Sequence, residues 1–160
     1  MGQVNITITV DTELLKSLST GPNNIYGEPP VGNNTWCTIA QEGGTTIPED
    51  PSTLTNPCDL ESTVYKDDFV TFYGIAKTVP GGELQPVINI TQIDLVNIPE
   101  GSFGKQEVSF PNQNGVPSGS IVTMQAKNYF NLENSYNIHF SISYKCRIID
   151  PKIKITHPIK

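Results

Sequence analysis

The sequence predicts an all-β fold: an antiparallel β-sandwich, jelly-roll or Ig-like, of seven to eight strands with one short helix after the first strand. Three observations carry this. Tyr136 to Cys146, Y-N-I-H-F-S-I-S-Y-K-C, has a large apolar residue at every second position, the period of a strand that buries one face. In the opening stretch Val4, Ile6, Ile8 and Val10 alternate with Asn5, Thr7 and Thr9 in the same way, and β-branched residues suit a pleated surface. The 160 residues include 13 Gly and 13 Pro but only 16% charged side chains, the composition of a turn-rich β protein. A chain of this length suits one domain, 1–160, burying roughly 70% of its unfolded surface.

After the first strand, Asp11 or Thr12 can cap a helix in which Leu14, Leu15 and Leu18 share one face. Ser19 to Val31 is turn chemistry, anchored only by Ile25 and Tyr26. Thr35 to Ala40 is a short strand, and Gln41 to Pro57 a loop broken by Gly43-Gly44 and prolines. Leu60 to Ala76 holds a turn at Lys66-Asp67-Asp68 followed by a strand apolar on both faces. Pro86 to Ile98 is a strand whose phase slips between Ile90 and Ile93, the mark of a bulge. Phe103 to Phe110 and Ser120 to Ala126 are further strands, with a loop over Pro111 to Gly119 and a connection over Lys127 to Ser135. Tyr136 to Cys146 is a central strand with Tyr136, Ile138, Phe140, Ile142, Tyr144 and Cys146 inward. After Asp150-Pro151 a last strand turns Ile153 and Ile155 inward and Lys152, Lys154 and Thr156 outward.

The formal charge of −6 and the absence of any Lys/Arg run argue against a nucleic-acid partner. No apolar stretch approaches a membrane span, and Met1 to Val10 has neither the basic nor the apolar region of a signal peptide. The expected location is therefore the cytoplasm or an inclusion body, with any release independent of a signal peptide. Cys37, Cys58 and Cys146 have no C-x-x-C spacing, which disfavours zinc. Buried, inert thiols are expected, with a Cys37–Cys58 bridge as the alternative.

The motifs of strong mechanistic content, the P-loop, H-E-x-x-H and G-x-S-x-G, are missing. If Tyr136 to Cys146 is one strand, His139 and Cys146 fall on opposite faces, roughly 23 Å apart at 3.3 Å per residue, and no local dyad forms. An enzyme is not expected. Carboxylates cluster at strand ends and turns: Asp11 with Glu13, Asp59 with Glu61, and Asp67 with Asp68. Ca²⁺ takes such oxygens together with carbonyls and amides, which Asn23, Asn24, Asn33 and Asn34 offer. Asp11, Glu13, Asp67 and Asp68 are the candidate metal ligands. The simpler alternative makes Asp11 a helix cap and Asp67-Asp68 a solvated turn. Tyr26, Tyr73 and Trp36 could stack on a sugar ring, although a single Trp in a β-sandwich is more often core.

Three ordered stretches, I-T-I-T-V-D-T-E, D-L-E-S-T-V-Y-K-D-D-F-V-T-F and Y-N-I-H-F-S-I-S-Y with D-P-K-I-K-I, together resemble the AidA/PixA family of bacterial inclusion-body proteins. Where relatives carry an aromatic before the closing D-P this chain has Ile149, and where they carry Gly-Asp at the central turn it has Asp67-Asp68. The resemblance implies a non-enzymatic β-sandwich made in quantity by bacteria living with hosts or in communities, sometimes stored in inclusions. It carries over Asp11, Thr12, Glu13, Asp67, Asp68, Asp150 and Pro151 as structural or site candidates. Some relatives look like sugar binders that use a divalent cation.

Two functions follow as expectations. The first is a lectin-like module binding a glycan, with or without calcium, through Asp11, Thr12, Glu13, Asn23, Asn24 and Tyr26. The second is a structural or storage protein acting through self-association as a homo-oligomer, without a small-molecule ligand.

Overall fold

The computed structural model of the chain describes residues 2–11, 37–51, 54, 59–77, 87–110, 112–113, 116–117, 119–142, 145–149 and 152–156; for 112–113, 116–117, 131–135, 142 and 145–149 it describes the backbone alone. Apart from Asp11, the predicted helix and the loop that follows it lie outside these residues. Fourteen strands follow one another among those described: β1 (Gln3–Val10), β2 (Cys37–Glu42), β3 (Thr45–Ile47), β4 (Glu61–Tyr65), β5 (Phe69–Ala76), β6 (Ile88–Asp94), β7 (Glu107–Ser109), β8 (Asn112–Gln113), β9 (Val116–Pro117), β10 (Ile121–Gln125), β11 (Phe130–Ser135), β12 (Asn137–Ile142), β13 (Lys145–Ile149) and β14 (Lys152–Thr156). The fold is all-β.

A five-stranded sheet runs in the order β2-β1-β5-β10-β7. Opposite it lie a four-stranded sheet, β11-β14-β4-β3, and a three-stranded one, β13-β12-β6. Only Tyr136 separates β11 from β12, so the two smaller sheets share one long, bent hairpin. Their inner faces meet the large sheet in a common core. Val4, Ile6, Ile8 and Val10 of β1, Val70 and Phe72 of β5, Ile90 of β6, Val122 and Met124 of β10, and Ile153 and Ile155 of β14 are all buried in it. The Phe72 and Tyr136 rings meet edge to face at 5.7 Å, a favourable aromatic geometry. β5 and β6 come close together at Gly74, where a Cβ would lie 2.4 Å from Ile88 Cγ2.

The sheets are mixed, which corrects the expectation of purely antiparallel pairing. β1 runs parallel to β5 from Gln3↔Phe69 to Val10↔Ala76, and β14 runs parallel to β4 from Lys152↔Glu61 to Thr156↔Tyr65. Side-chain alternation follows which face is buried and is the same for either strand direction. The turn at Lys66-Asp67-Asp68 is present, yet it is not a hairpin. It carries the chain from β4 in one sheet to β5 in another. Gly43-Gly44 does the same between β2 and β3, with φ of +85° and +64°, angles that favour residues lacking a Cβ. The stretch expected to be loop over Gln41 to Pro57 thus begins inside β2 and contains β3.

The long strand is also shorter than expected. β12 ends at Ile142, and Cys146 lies on β13 opposite Ser141, with Ile142 opposite Lys145. The alternation S-I-S-Y-K-C runs on from β12 into β13 and therefore conceals the change of strand. Tyr136, Ile138 and Phe140 are buried as expected. The predicted bulge is present as well, where the β12–β6 register slips between His139↔Gln92 and Phe140↔Ile90. Lys127 to Ser135, expected as a connection, contains β11.

Candidate functional site

Of the candidate metal ligands, Asp11 and Asp68 sit at opposite ends of β1. Asp11 follows the last residue of that strand, while Asp68 lies against Gly2 at its start, a separation of roughly 30 Å at 3.3 Å per residue. They cannot share an ion. The parallel register that pairs Val10 with Ala76 sets Asp11 next to Lys77, with Lys77 Nζ 3.6 Å from Asp11 Oδ2. Thr12, Glu13, Asn23, Asn24, Tyr26, Trp36, Asp150 and Pro151 lie outside the described residues. Among the described residues no group of three or more His, Cys, Asp or Glu is placed to hold a metal ion.

Asp68 is 6% exposed, and its two carboxylate oxygens serve the backbone. Oδ1 accepts from Gly2 N–H at 2.7 Å and Oδ2 from Tyr65 N–H at 3.1 Å. Around it Lys66 N–H donates to Thr156 O, Asp67 N–H to Ala126 O, Ala126 N–H to Asp68 O and Phe69 N–H to Gly2 O, all at 2.9–3.0 Å. This corner therefore ties the ends of β1, β4, β5, β10 and β14 together. Asp68 is a buried clamp, which corrects the picture of a solvated turn and gives its carboxylate a structural task.

Asp67 takes φ of 74°, a left-handed conformation that costs nothing at glycine. Asp67→Gly is expected to raise unfolding stability by about 0.5–1 kcal/mol, measured by urea titration. A loss of stability would show that the Asp67 side chain carries a contact worth more than the strain.

The register overturns the exclusion of a His139–Cys146 dyad by strand spacing, because Cys146 is opposite Ser141, two residues from His139 and at a position of the same face. The two residues are on neighbouring strands, His139 opposite Ile148 and Cys146 opposite Ser141, so the 23 Å spacing of a single strand does not apply. His139 is half-buried, and its Nε2 lies 3.9 Å from Asp94 Oδ2, too far for a hydrogen bond. Cys37 is buried in the core, and its Sγ lies 3.5 Å from Thr38 O. Tyr73, a candidate for sugar stacking, is half-buried on β5 opposite Thr7.

One edge stands out among the described strands. All three residues of β7 are exposed, with Val108 at 50% and Phe110, directly after the strand, at 74%. The neighbouring edge strand β6 is treated differently. The Gln106 amide hydrogen-bonds both Ile93 N–H and Ile93 O, and Ser120 caps Ile90 in the same manner through its carbonyl and hydroxyl. Gly119 permits this closure, because a Cβ there would lie 1.7 Å from Ile88 O. Sequence reasoning placed a strand over Phe103 to Phe110 but gave no signal that its apolar residues stay uncovered. V-S-F reads like any inward-facing alternation.

The fold has a solved counterpart. The structure superposes on the crystal structure of an inclusion body protein, PixA, from Burkholderia cenocepacia J2315, with a TM-score of 0.61 over 97% of this chain and 96% of that one. This chain has the PixA inclusion-body protein fold. Identity between the two is 10%, so the likeness rests on strand order and packing. No family model matches the sequence, and none of the curated proteins does either. The PixA fold bears out the resemblance read from the three motif stretches at the level of architecture. Among the described residues no helix is long and apolar enough to cross a membrane.

Proposed function

We propose that the chain is a two-layer β-sandwich with a structural or storage role, acting through self-association and accumulating in cytoplasmic inclusions without catalysing a reaction. The observation that carries this reading is the shared fold, end to end, with a protein described as an inclusion body protein. The exposed apolar edge at Val108 and Phe110 supports it, because uncovered apolar side chains beside an open strand favour contact with further protein. The acidic residues of the carbohydrate reading find no such support: Asp68 is committed to two backbone amides and Asp11 lies beside a lysine.

The test is expression of the full chain followed by fractionation and sedimentation. Dense intracellular particles that dissolve on dilution to release folded protein, with concentration-dependent sedimentation of the soluble fraction, are the expected result. A chain that sediments as one monomeric species at every concentration would sink the proposal. A selective glycan-array signal abolished by a calcium chelator would favour the lectin-like reading instead.

A further inference from the structure

The edge strand β7 specifies how copies of the chain would meet. Gly104 N–H donates to Gln125 O, whereas Ala126 turns both its N–H and its carbonyl toward the Asp67-Asp68 side. Backbone groups alternate direction along a strand, so Thr123 and Ile121 of β10 point at β7 and Val122 points at β5. Their partners on β7 are Glu107, Ser109 and Val108 respectively. Glu107 and Ser109 therefore hold the ladder to β10, while Val108 turns its N–H and carbonyl away from it. Those groups have no hydrogen-bond partner among the described residues. Val108 also stands directly opposite Val122, a buried core residue, so its side chain continues the core-facing side of the sheet past the point where the second layer covers it.

We propose that β7 is a self-pairing edge, at which two copies of this chain align β7 with β7 antiparallel about a two-fold axis through Val108. This inference rests on the self-association reading and names its surface. An open strand edge takes an extended strand, and the two-fold register explains why that strand is a second copy. Val108 faces Val108, so its outward N–H and carbonyl are both satisfied and the two apolar side chains cover each other. Glu107 faces Ser109 of the other copy, which keeps like charges from direct opposition in a chain of net charge −6. A three-residue edge makes far less contact than the roughly 800 Å² per partner of a standard stable interface. The pairing is weak and is populated only where the chain is abundant.

The test uses Val108→Cys in the full chain at high concentration under mild oxidation. Directly opposed residues of a hydrogen-bonded antiparallel pair have Cα atoms about 5.5 Å apart, within the span of a disulfide. A covalent dimer is expected from Val108→Cys. Ile47→Cys, at a more exposed position on β3 with 62% against 50% for Val108, should dimerise no more than the unsubstituted chain. A second variant, Val108→Pro, removes only the outward N–H, a substitution that an edge strand accommodates; it should keep the circular dichroism spectrum and lose the dimer in sedimentation. If the unsubstituted chain associates while Val108→Cys fails to cross-link and Val108→Pro still associates, the β7 surface is wrong and the self-association reading stands. If the unsubstituted chain never associates, both fall.

Discussion

Phe140→Ala is expected to lower the free energy of unfolding by about 3–5 kcal/mol, read from urea titration, through lost transfer energy and the cavity left behind. Phe140 is 0% exposed on β12, the middle strand of β13-β12-β6, where it stands between Arg147 and Ile90 in register. Strands flank it on both sides, so the hole cannot close without shifting a ladder. The adjacent His139 tests the facing of the strand. It is half-buried, and its Nε2 makes no hydrogen bond, so His139→Ala should cost about 1 kcal/mol or less. Equal losses at the two positions would show that burial does not alternate along β12.

Asp68→Ala should cost about 3 kcal/mol, because two partly buried hydrogen bonds, from the backbone N–H groups of Gly2 and Tyr65, lose their charged acceptor together. Each hydrogen bond to a charged group is worth about 1.5–3 kcal/mol, and a donor left unpaired adds its own penalty. Asp68→Asn keeps one acceptor oxygen and should lose about half as much. Amide exchange gives an independent reading. The Tyr65 amide should exchange faster in Asp68→Ala, along with the ends of the strands that meet at this corner. A loss under about 1 kcal/mol in Asp68→Ala would show that water replaces the carboxylate and that the corner is held by its backbone bonds alone.

The acidic turn shows how the task of a carboxylate depends on segments distant in sequence. Asp67-Asp68 has the composition of a cation site, and nothing local distinguishes a carboxylate that awaits an ion from one that caps two amides. The donors come from Gly2 and Tyr65, and Gly2 is brought close only by the parallel pairing of β1 with β5. The His139–Cys146 separation failed for a related reason. The alternation is uninterrupted from β12 into β13, so eleven alternating residues looked like one strand when Cys146 in fact belongs to β13.

The sequence by itself determined which residues face the core. Val4, Ile6, Ile8 and Val10, then Tyr136, Ile138 and Phe140, then Ile153 and Ile155 are buried where their spacing put them, since a period of two is a local property of an extended chain. It also located the Lys66–Asp68 turn and the bulge in β6, both of which break that period within a few residues. Tertiary structure alone decided strand direction, the passage of the chain between sheets at Asp68 and at Gly43-Gly44, and which edges are sealed. Gln106 and Ser120 cap β6 while Val108 leaves β7 open. Those features depend on which distant segments lie side by side, and a residue's own neighbours in sequence carry no record of the strand that pairs with it.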